Sequence, residues 1–111
     1  MADSLKLSDW KNIPLIKTSG YFDEKVGKAL ETMVMGLLRE KKNTWILDLN
    51  DCEVINSPGI AAIFELCIKT KEDFSGEILI VGVKALTRRV FQMAGIFPLA
   101  EEFPSLEEIR G

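Results

Sequence analysis

Apolar and polar residues follow two different periods along this chain, which predicts strands and helices that succeed one another. Between about Asp23 and Arg39, apolar residues recur every three or four positions, as on one face of an amphipathic helix. The residues of this face are Val26, Leu30, Met33, Val34, Leu37 and Leu38. Gly20 breaks the segment before the helix, and the acidic residues Asp23 and Glu24 suit its start.

The N-terminal segment has the shorter period of a β-strand. Leu5 and Leu7 alternate with polar neighbours, and residues 13–16 are Ile-Pro-Leu-Ile. Because Pro14 has no N–H to donate to a ladder, this second segment predicts an edge strand. We expect the two segments to form a hairpin.

Two later segments are too apolar to face water on both sides. Residues 45–47 with Leu49 predict a central strand, and residues 78–81 predict a second, fully buried strand after the turn at Ser75-Gly76. Between the strands, a helix that starts near Ser57 is predicted by an apolar stripe at helical spacing. The stripe comprises Ile60, Ile63, Phe64, Cys67 and Ile68.

The C-terminal third predicts another helix, a short strand and a final turn. The inner face of the helix would be formed by Leu86, Val90, Met93 and Ala94. Gly95 ends the helix, Phe97 to Ala100 predicts the strand, and Ser105 to Ile109 predicts the helical turn.

The alternation of strands with helices predicts an α/β fold with about four helices, in one domain over residues 1–111. In such folds the loops after the strands meet at one edge, where function collects. We expect that edge to bring together Asp48, Asn50, Asp51, Glu53, Ser57 and the loop at 83–85.

Composition narrows the class of function. The chain has 111 residues, 47% of them hydrophobic and 28% charged, with a formal net charge of −3. This balance excludes a membrane span, and the negative charge disfavours nucleic acid as a partner. No secretory signal is evident at the N-terminus, so we expect a cytoplasmic protein. With two cysteines and no histidine, neither a zinc site nor a cofactor is expected.

Ser57 is the residue that points most clearly to regulation. A Ser before Pro58 suits the start of a helix, because Ser caps backbone N–H groups and Pro tolerates the first helical position. We therefore predict that Ser57 is the N-cap. A phosphoryl group there would be favoured by the helix dipole and would draw on the amides of Gly59, Ile60 and Ala61, since Pro58 has none.

The chain resembles the STAS domain family, the bacterial anti-sigma factor antagonists, from about Gly20 to the C-terminus. The strand at 44–52 followed by Asn56-Ser57-Pro58-Gly59-Ile60 is similar to the family's phosphate-acceptor segment. Three weaker pieces occur in family order: the segment at 20–23, the helix end at 90–96 and the tail at 103–108. The resemblance implies a mixed, mostly parallel sheet with antiparallel N-terminal strands.

It also implies a protein-binding module rather than an enzyme. The partner would be an anti-sigma factor with serine kinase activity, which phosphorylates Ser57 and is thereby released; a serine phosphatase would reset the complex. The residues expected to contact the partner are Asp23, Asp48, Asn50, Asn56, Ser57, Pro58 and Gly59.

Two departures keep an alternative open. Asn56 stands where switch-type members carry Asp, and Pro58 follows the acceptor. Both favour a second hypothesis, in which the domain is a scaffold in a signalling complex or the accessory subunit of a transporter. Catalysis is disfavoured because Ser57 lacks a His base, and an aspartyl-phosphate site at Asp48 or Asp51 lacks the adjacent acidic pair.

Overall fold

A five-stranded sheet forms the middle of the molecule in the computed structural model, which describes residues 4–109. The strands are β1 (Leu5–Trp10), β2 (Ile13–Phe22), β3 (Thr44–Ile55), β4 (Glu77–Val81) and β5 (Glu101–Phe103). They lie side by side in chain order, with β1 antiparallel to β2 and all other neighbours parallel. The expected α/β fold, its mixed and mostly parallel sheet and the N-terminal hairpin are confirmed.

Three α-helices connect the strands: α1 (Glu24–Arg39), α2 (Ser57–Ile68) and α3 (Ala85–Ala94). A π-helical turn at Lys69–Asp73 continues α2, and a 3-10 turn at Leu106–Glu108 lies near the C-terminus. This agrees closely with the expected four helices. Within residues 4–109, no helix has the length and apolar character needed to cross a membrane.

The sheet buries a different set of side chains on each face. Trp45, Leu47 and Leu49 of β3 belong to the larger core, together with residues of α1 and α2. Ile46, between them, belongs to a smaller core on the opposite face, which Ile109 covers. Because successive strand residues point to opposite faces, β3 is buried on both sides, as its continuous apolar run indicated.

The prediction that the strand at 13–16 lies at an edge is wrong. β2 is paired on both sides, with β1 and β3. Pro14 is accommodated because it lies opposite Asp9 of β1, and pairing with β3 begins only at Leu15. The missing N–H of Pro14 therefore removes no bond from the β2–β3 ladder.

The predicted inner face of the third helix is wrong for Leu86, Val90 and Met93, whereas Ala94 packs against the larger core as expected. Leu86 and Met93 are 77% and 87% exposed, whereas Phe91 is fully buried in the larger core. The helix turns its largest apolar side chain inward, since an aromatic ring gains the most from leaving water. Gly95 ends the helix as predicted, with a φ of 80°.

Two details of the predicted elements differ in the structure. The strand predicted at 97–100 is a turn, closed by the amides of Leu99 and Ala100 donating to the Ile96 carbonyl. The strand, β5, follows that turn instead. On α2 the predicted stripe is largely confirmed, because Ile60, Ile63 and Cys67 are buried and Phe64 packs against the core; Leu66 is buried in addition, and Ile68 is only partly buried.

Candidate functional site

The ends of β3 and β2 extend together beyond β4. Pairing with β4 stops at Asp48, while β3 continues to Ile55 and pairs there with β2 alone. The residues 49–55, which we call the β3 extension, lead directly to Ser57 at the start of α2. The long strand, for which the family resemblance indicated residues 44–52, therefore places the candidate phosphate acceptor beyond the last residue that β4 pairs.

Lys84 takes the place of the missing β4 partner along this extension. Its ammonium donates to the carbonyl oxygens of Asn50 and Cys52 at 2.9 and 3.0 Å, and to that of Leu49 at 3.4 Å. An ammonium has three donors, so one side chain can satisfy carbonyls that would otherwise face water. Lys84 thus fastens the start of α3 to the β3 extension.

Asp48 supports the same segment from inside. Its side chain is buried, and its Oδ1 accepts from the backbone N–H of Asn50 at 2.9 Å and from the Asn50 side-chain amide at 2.8 Å. The expected contact of Asp48 with the partner stays a prediction, and in the folded chain its buried side chain has a structural role. It fixes the orientation of Asn50, which is exposed.

Asn56, rather than Ser57, is the N-cap of α2, which corrects the sequence prediction. Its side-chain Oδ1 accepts from the backbone N–H of Gly59 at 2.9 Å, while its backbone N–H donates to the Phe22 carbonyl oxygen at 3.0 Å. Asn and Ser cap about equally well, so the register of the chain decides between them. Because Asn56 is the residue that directly follows β3, Ser57 becomes the first residue of the helix.

Ser57 is exposed, and so is Pro58 beside it. The expectation that a phosphate on Ser57 would draw on the amides of Gly59, Ile60 and Ala61 stays a prediction, and in the unmodified protein the first two of these amides already have partners. The Gly59 amide donates to the Asn56 side chain and the Ile60 amide to the Asn56 carbonyl. A phosphate at Ser57 would therefore project into solvent unless it displaced the cap.

Gly59 is buried and allows α2 to pack closely on the end of β2. A Cβ there would lie 2.7 Å from both the Phe22 ring and the Phe22 carbonyl oxygen. Only glycine, which has no Cβ, fits at this position, because non-bonded atoms do not approach so closely in packed proteins. Its position indicates a structural role at the junction of α2 and β2, and its contact with a partner stays a prediction.

Asp23 lies at the start of α1, close to the same junction. Its Oδ1 caps the helix by accepting from the Val26 amide at 3.0 Å, and it follows Phe22, whose carbonyl binds Asn56. The turn after β2 and the turn after β3 are therefore joined by backbone contact. Asp51 is separate from them and forms an ion pair with Lys17, which raises the pKa of the lysine.

The sequence placed the loop that contains Lys84 at this edge without giving the lysine a role, and it gave Tyr21 no role in the site. Tyr21 is 54% exposed, and its hydroxyl accepts from the Asn56 side-chain amide at 3.3 Å. Its partner in the β2–β3 register is Val54, which is 52% exposed. The two side chains add apolar surface beside Ser57, and an aromatic residue at a strand end was the available signal for it.

The two cysteines are buried thiols. Burial raises the pKa of Cys52 and raises the pKa of Cys67 to about 12. Both are therefore protonated at neutral pH, which makes them poor nucleophiles and poor metal ligands. Among residues 4–109, no three side chains of the metal-binding types lie close enough together to hold an ion.

Comparison with known proteins places this geometry in context. The chain can be superposed on the phosphorylated form of SpoIIAA, a Bacillus cell fate determinant, at 16% identity with a TM-score of 0.73, covering 94% of this chain and 95% of that one. An anti-sigma factor antagonist from Mycobacterium paratuberculosis gives 20% identity and a TM-score of 0.75, covering 94% and 87% of the two chains.

A sulfate transporter family protein from Wolinella succinogenes shares the fold as well, at 21% identity with a TM-score of 0.64, covering 76% of this chain and 67% of that one. No curated protein sequence matches the chain. The family model for the STAS domain matches residues 9–109. The chain therefore belongs to the STAS domain family.

Proposed function

We propose that this protein is an anti-sigma factor antagonist, a binding module that engages an anti-sigma factor and is released when Ser57 is phosphorylated. The observation that carries the proposal is the exposed Ser57 at the first position of α2, on a junction held by Asn56. An acceptor hydroxyl must be reachable by a kinase, and this one is. The chain contributes no catalysis of its own.

The rigidity of the junction supports a docking role. Asn56 ties α2 to the end of β2, and Lys84 ties the β3 extension to α3, so the exposed residues Asn50, Ser57 and Pro58 are held by well-bonded neighbours. A preformed surface loses little conformational entropy on binding. The unmodified protein would present this surface to the anti-sigma factor.

The effect of the phosphate follows from its surroundings. A phosphoserine carries a charge of about −1.5 to −2 at neutral pH, and the nearest helix amides already donate to Asn56. The new charge would thus remain hydrated on the docking surface. Burying it under a partner would cost far more than burying a hydroxyl, which is why modification would end the complex.

Asn56 changes the electrostatics of phosphorylation. As a neutral cap it adds no charge beside the acceptor, so the incoming phosphoryl group meets less repulsion than it would beside a carboxylate. The kinase itself would then have to supply the group that orients the Ser57 hydroxyl. The proposed partner is accordingly an anti-sigma factor with its own serine kinase activity, and a serine phosphatase would reverse the step, all within the cytoplasm.

The proposal is tested on protein isolated from its native cells. Intact-mass measurement and site mapping should find one phosphate, on Ser57, and Ser57→Ala should abolish it. Ser8→Ala is the matched control, because Ser8 is an exposed serine on β1. A phosphate on another residue, or a phosphate that persists in Ser57→Ala, would overturn the proposal.

A second candidate function is supported by the shared fold with the sulfate transporter family protein. In that case the domain would serve as an accessory subunit or scaffold, without a phosphate switch. Asn56 and Pro58 favour this alternative because both depart from the acceptor segment of switch-type members. Affinity purification distinguishes the two: a transport ATPase as the main partner supports the scaffold, and a serine kinase supports the switch.

A further inference from the structure

The outer edge of β1 is open. β1 is the first strand of the sheet and, among residues 4–109, it pairs only with β2. Sheet edges in proteins are often kept short, bulged or interrupted by proline, which prevents pairing with another chain. β1 is a regular strand of six residues with no proline and no shift in its register with β2. The opposite edge strand, β5, has only three residues, so β1 is the edge that could accept another strand.

Alternate residues of β1 direct their backbone groups to this open edge. In an antiparallel pair, residues that exchange hydrogen bonds with the neighbouring strand alternate with residues whose N–H and C=O face away from it. The Ser19 N–H donates to the Ser4 carbonyl oxygen at 2.9 Å, so the even-numbered residues of β1 are those that bond to β2. The N–H and C=O groups of Leu5, Leu7 and Asp9 therefore point outward.

A second copy of β1 in antiparallel orientation satisfies all of these outward groups. A two-fold axis perpendicular to the sheet and placed at Leu7 would put Leu7 opposite Leu7 of the second copy, and Leu5 opposite Asp9. Each outward residue would then exchange backbone hydrogen bonds with another outward residue. The Leu7 side chain, which is 48% exposed in the single chain, would be covered by its own counterpart.

The charged side chains of β1 permit this register and oppose its neighbours. Charges can protect a sheet edge, and β1 carries two, Lys6 and Asp9, which are both exposed. An axis at either of them would place two like charges directly opposite each other, which is unfavourable. With the axis at Leu7, Lys6 instead lies opposite Ser8. An axis at Ser8 also avoids like charges, but it moves Leu5 past the end of the partner strand and leaves its outward groups unpaired.

We propose that two copies of this protein associate through β1, with the two strands antiparallel about a two-fold axis at Leu7, so that the two sheets become one. A single strand edge is small beside a standard interface of about 1,600 Å², so the dimer is weak and forms as the protein concentration rises. A strand of a different protein would not need this two-fold pattern. The proposal goes beyond the Ser57 switch, because β2 separates β1 from the strand that leads to Ser57.

The test combines sedimentation velocity and amide hydrogen exchange of the whole chain at about 50 µM and about 1 mM. The sedimentation coefficient should rise from that of a monomer toward that of a dimer. The amides of Leu5, Leu7 and Asp9 should exchange at least about tenfold more slowly at the higher concentration. The amides of Lys6 and Ser8 should be protected equally at both, because they bond to β2. A monomer at 1 mM, or a dimer without this alternation along β1, would refute the proposal.

Opposite charges at position 7 test where the axis lies. Leu7→Lys and Leu7→Glu should each weaken dimerisation at least about tenfold, because the axis places each new charge against its own copy. An equimolar mixture of the two variants should associate to within about threefold of the wild-type affinity, since unlike charges then meet. An axis at Ser8 would instead place the new lysine opposite Asp9, so stronger dimerisation of Leu7→Lys alone would contradict the proposed pairing.

Met93→Lys and Met93→Glu are the matched controls, because Met93 is an apolar residue of α3 that is 87% exposed. Neither variant should change dimerisation, and mixing them should not strengthen it. Equal weakening by Met93→Lys and Leu7→Lys would show that β1 is not the interface. If a Leu7 variant does not fold, as judged by circular dichroism, the exchange pattern of the wild-type protein decides the question alone.

Discussion

The Asn56 side-chain amide donates to the Tyr21 hydroxyl at 3.3 Å, and this contact joins the end of β2 to the start of α2. The oxygen of the same side chain, Oδ1, caps α2 by accepting from the backbone N–H of Gly59. One residue therefore sets both where the helix begins and how it is anchored to the sheet. Ser57, the next residue, is left exposed and free of any capping duty.

The division of roles between Asn56 and Ser57 predicts a difference in stability. Asn56→Ala removes the cap and should lower the free energy of unfolding by about 1 kcal/mol, while Ser57→Ala should change it by less than about 0.5 kcal/mol. Asn56→Asp keeps a capping oxygen and should stay close to wild type. Urea denaturation followed by circular dichroism measures all three, and a larger loss in Ser57→Ala than in Asn56→Ala would contradict the assignment.

The close approach of α2 to β2 predicts that Gly59 tolerates no side chain. Gly59→Ala forces its Cβ against the Phe22 ring and carbonyl, and should cost about 1–3 kcal/mol of unfolding free energy. Gly36→Ala is the matched control, because that helical glycine has open space around it and should gain about 0.5–1 kcal/mol. Equal effects at the two positions would show that the contact is not tight.

The bonds of Lys84 predict that the β3 extension loosens without it. Lys84→Met should lower stability by about 1–2 kcal/mol, because it leaves three carbonyl oxygens without their charged donor. It should also speed amide hydrogen exchange along residues 50–55. Lys25→Met, at an exposed site on α1, serves as the control and should have neither effect. Unchanged exchange in Lys84→Met would refute the role of this lysine as a tether.

The buried thiol of Cys67 predicts a loss of stability in alkali. Its pKa is raised from 9.0 to about 12 by burial, so above pH 9 the unfolded chain has lost a proton that the folded chain retains. Stability therefore falls as the pH rises from about 9 to 12, by up to about 1.4 kcal/mol per pH unit for this group.

Comparison with Cys67→Val isolates this effect from the titration of other groups. The difference in unfolding free energy between wild type and the variant, measured by urea denaturation at pH 7.5 and 10.5, should shift in favour of the variant at the higher pH. A difference that is the same at both pH values would show that the thiol is not desolvated in the folded protein.

The sequence predicted those elements for which burial alone determines the pattern. The continuous apolar runs of β3 and β4 and the periodic face of α1 can only be satisfied inside a sheet covered by helices, so their positions were predicted well. The candidate acceptor, Ser57, was also located correctly at the start of a helix. These features depend on local composition and need no knowledge of distant neighbours.

Features that depend on tertiary contact were missed. The sequence could not distinguish Asn56 from Ser57 as the N-cap, because both side chains can accept from helix N–H groups. The residue at which β3 ends decides where the helix begins. The face that α3 turns toward the core is set by Phe91, which is fully buried. The sequence also offered the stripe with Leu86 and Met93, which is equally apolar but is exposed in the structure. The loop at 83–85 was expected at this edge, but the bonds of Lys84 carry no sequence signal, since its acceptors are backbone carbonyls more than thirty residues away in the chain.

The central claim is tested most directly by calorimetry with the proposed partner, an anti-sigma factor with serine kinase activity, on this protein with and without phosphoserine incorporated at position 57. The account predicts tight binding of the unmodified protein and at least about 30-fold weaker binding of the phosphorylated form. Affinities that agree within about twofold would contradict it, because a charge on the docking surface would then have no effect on association.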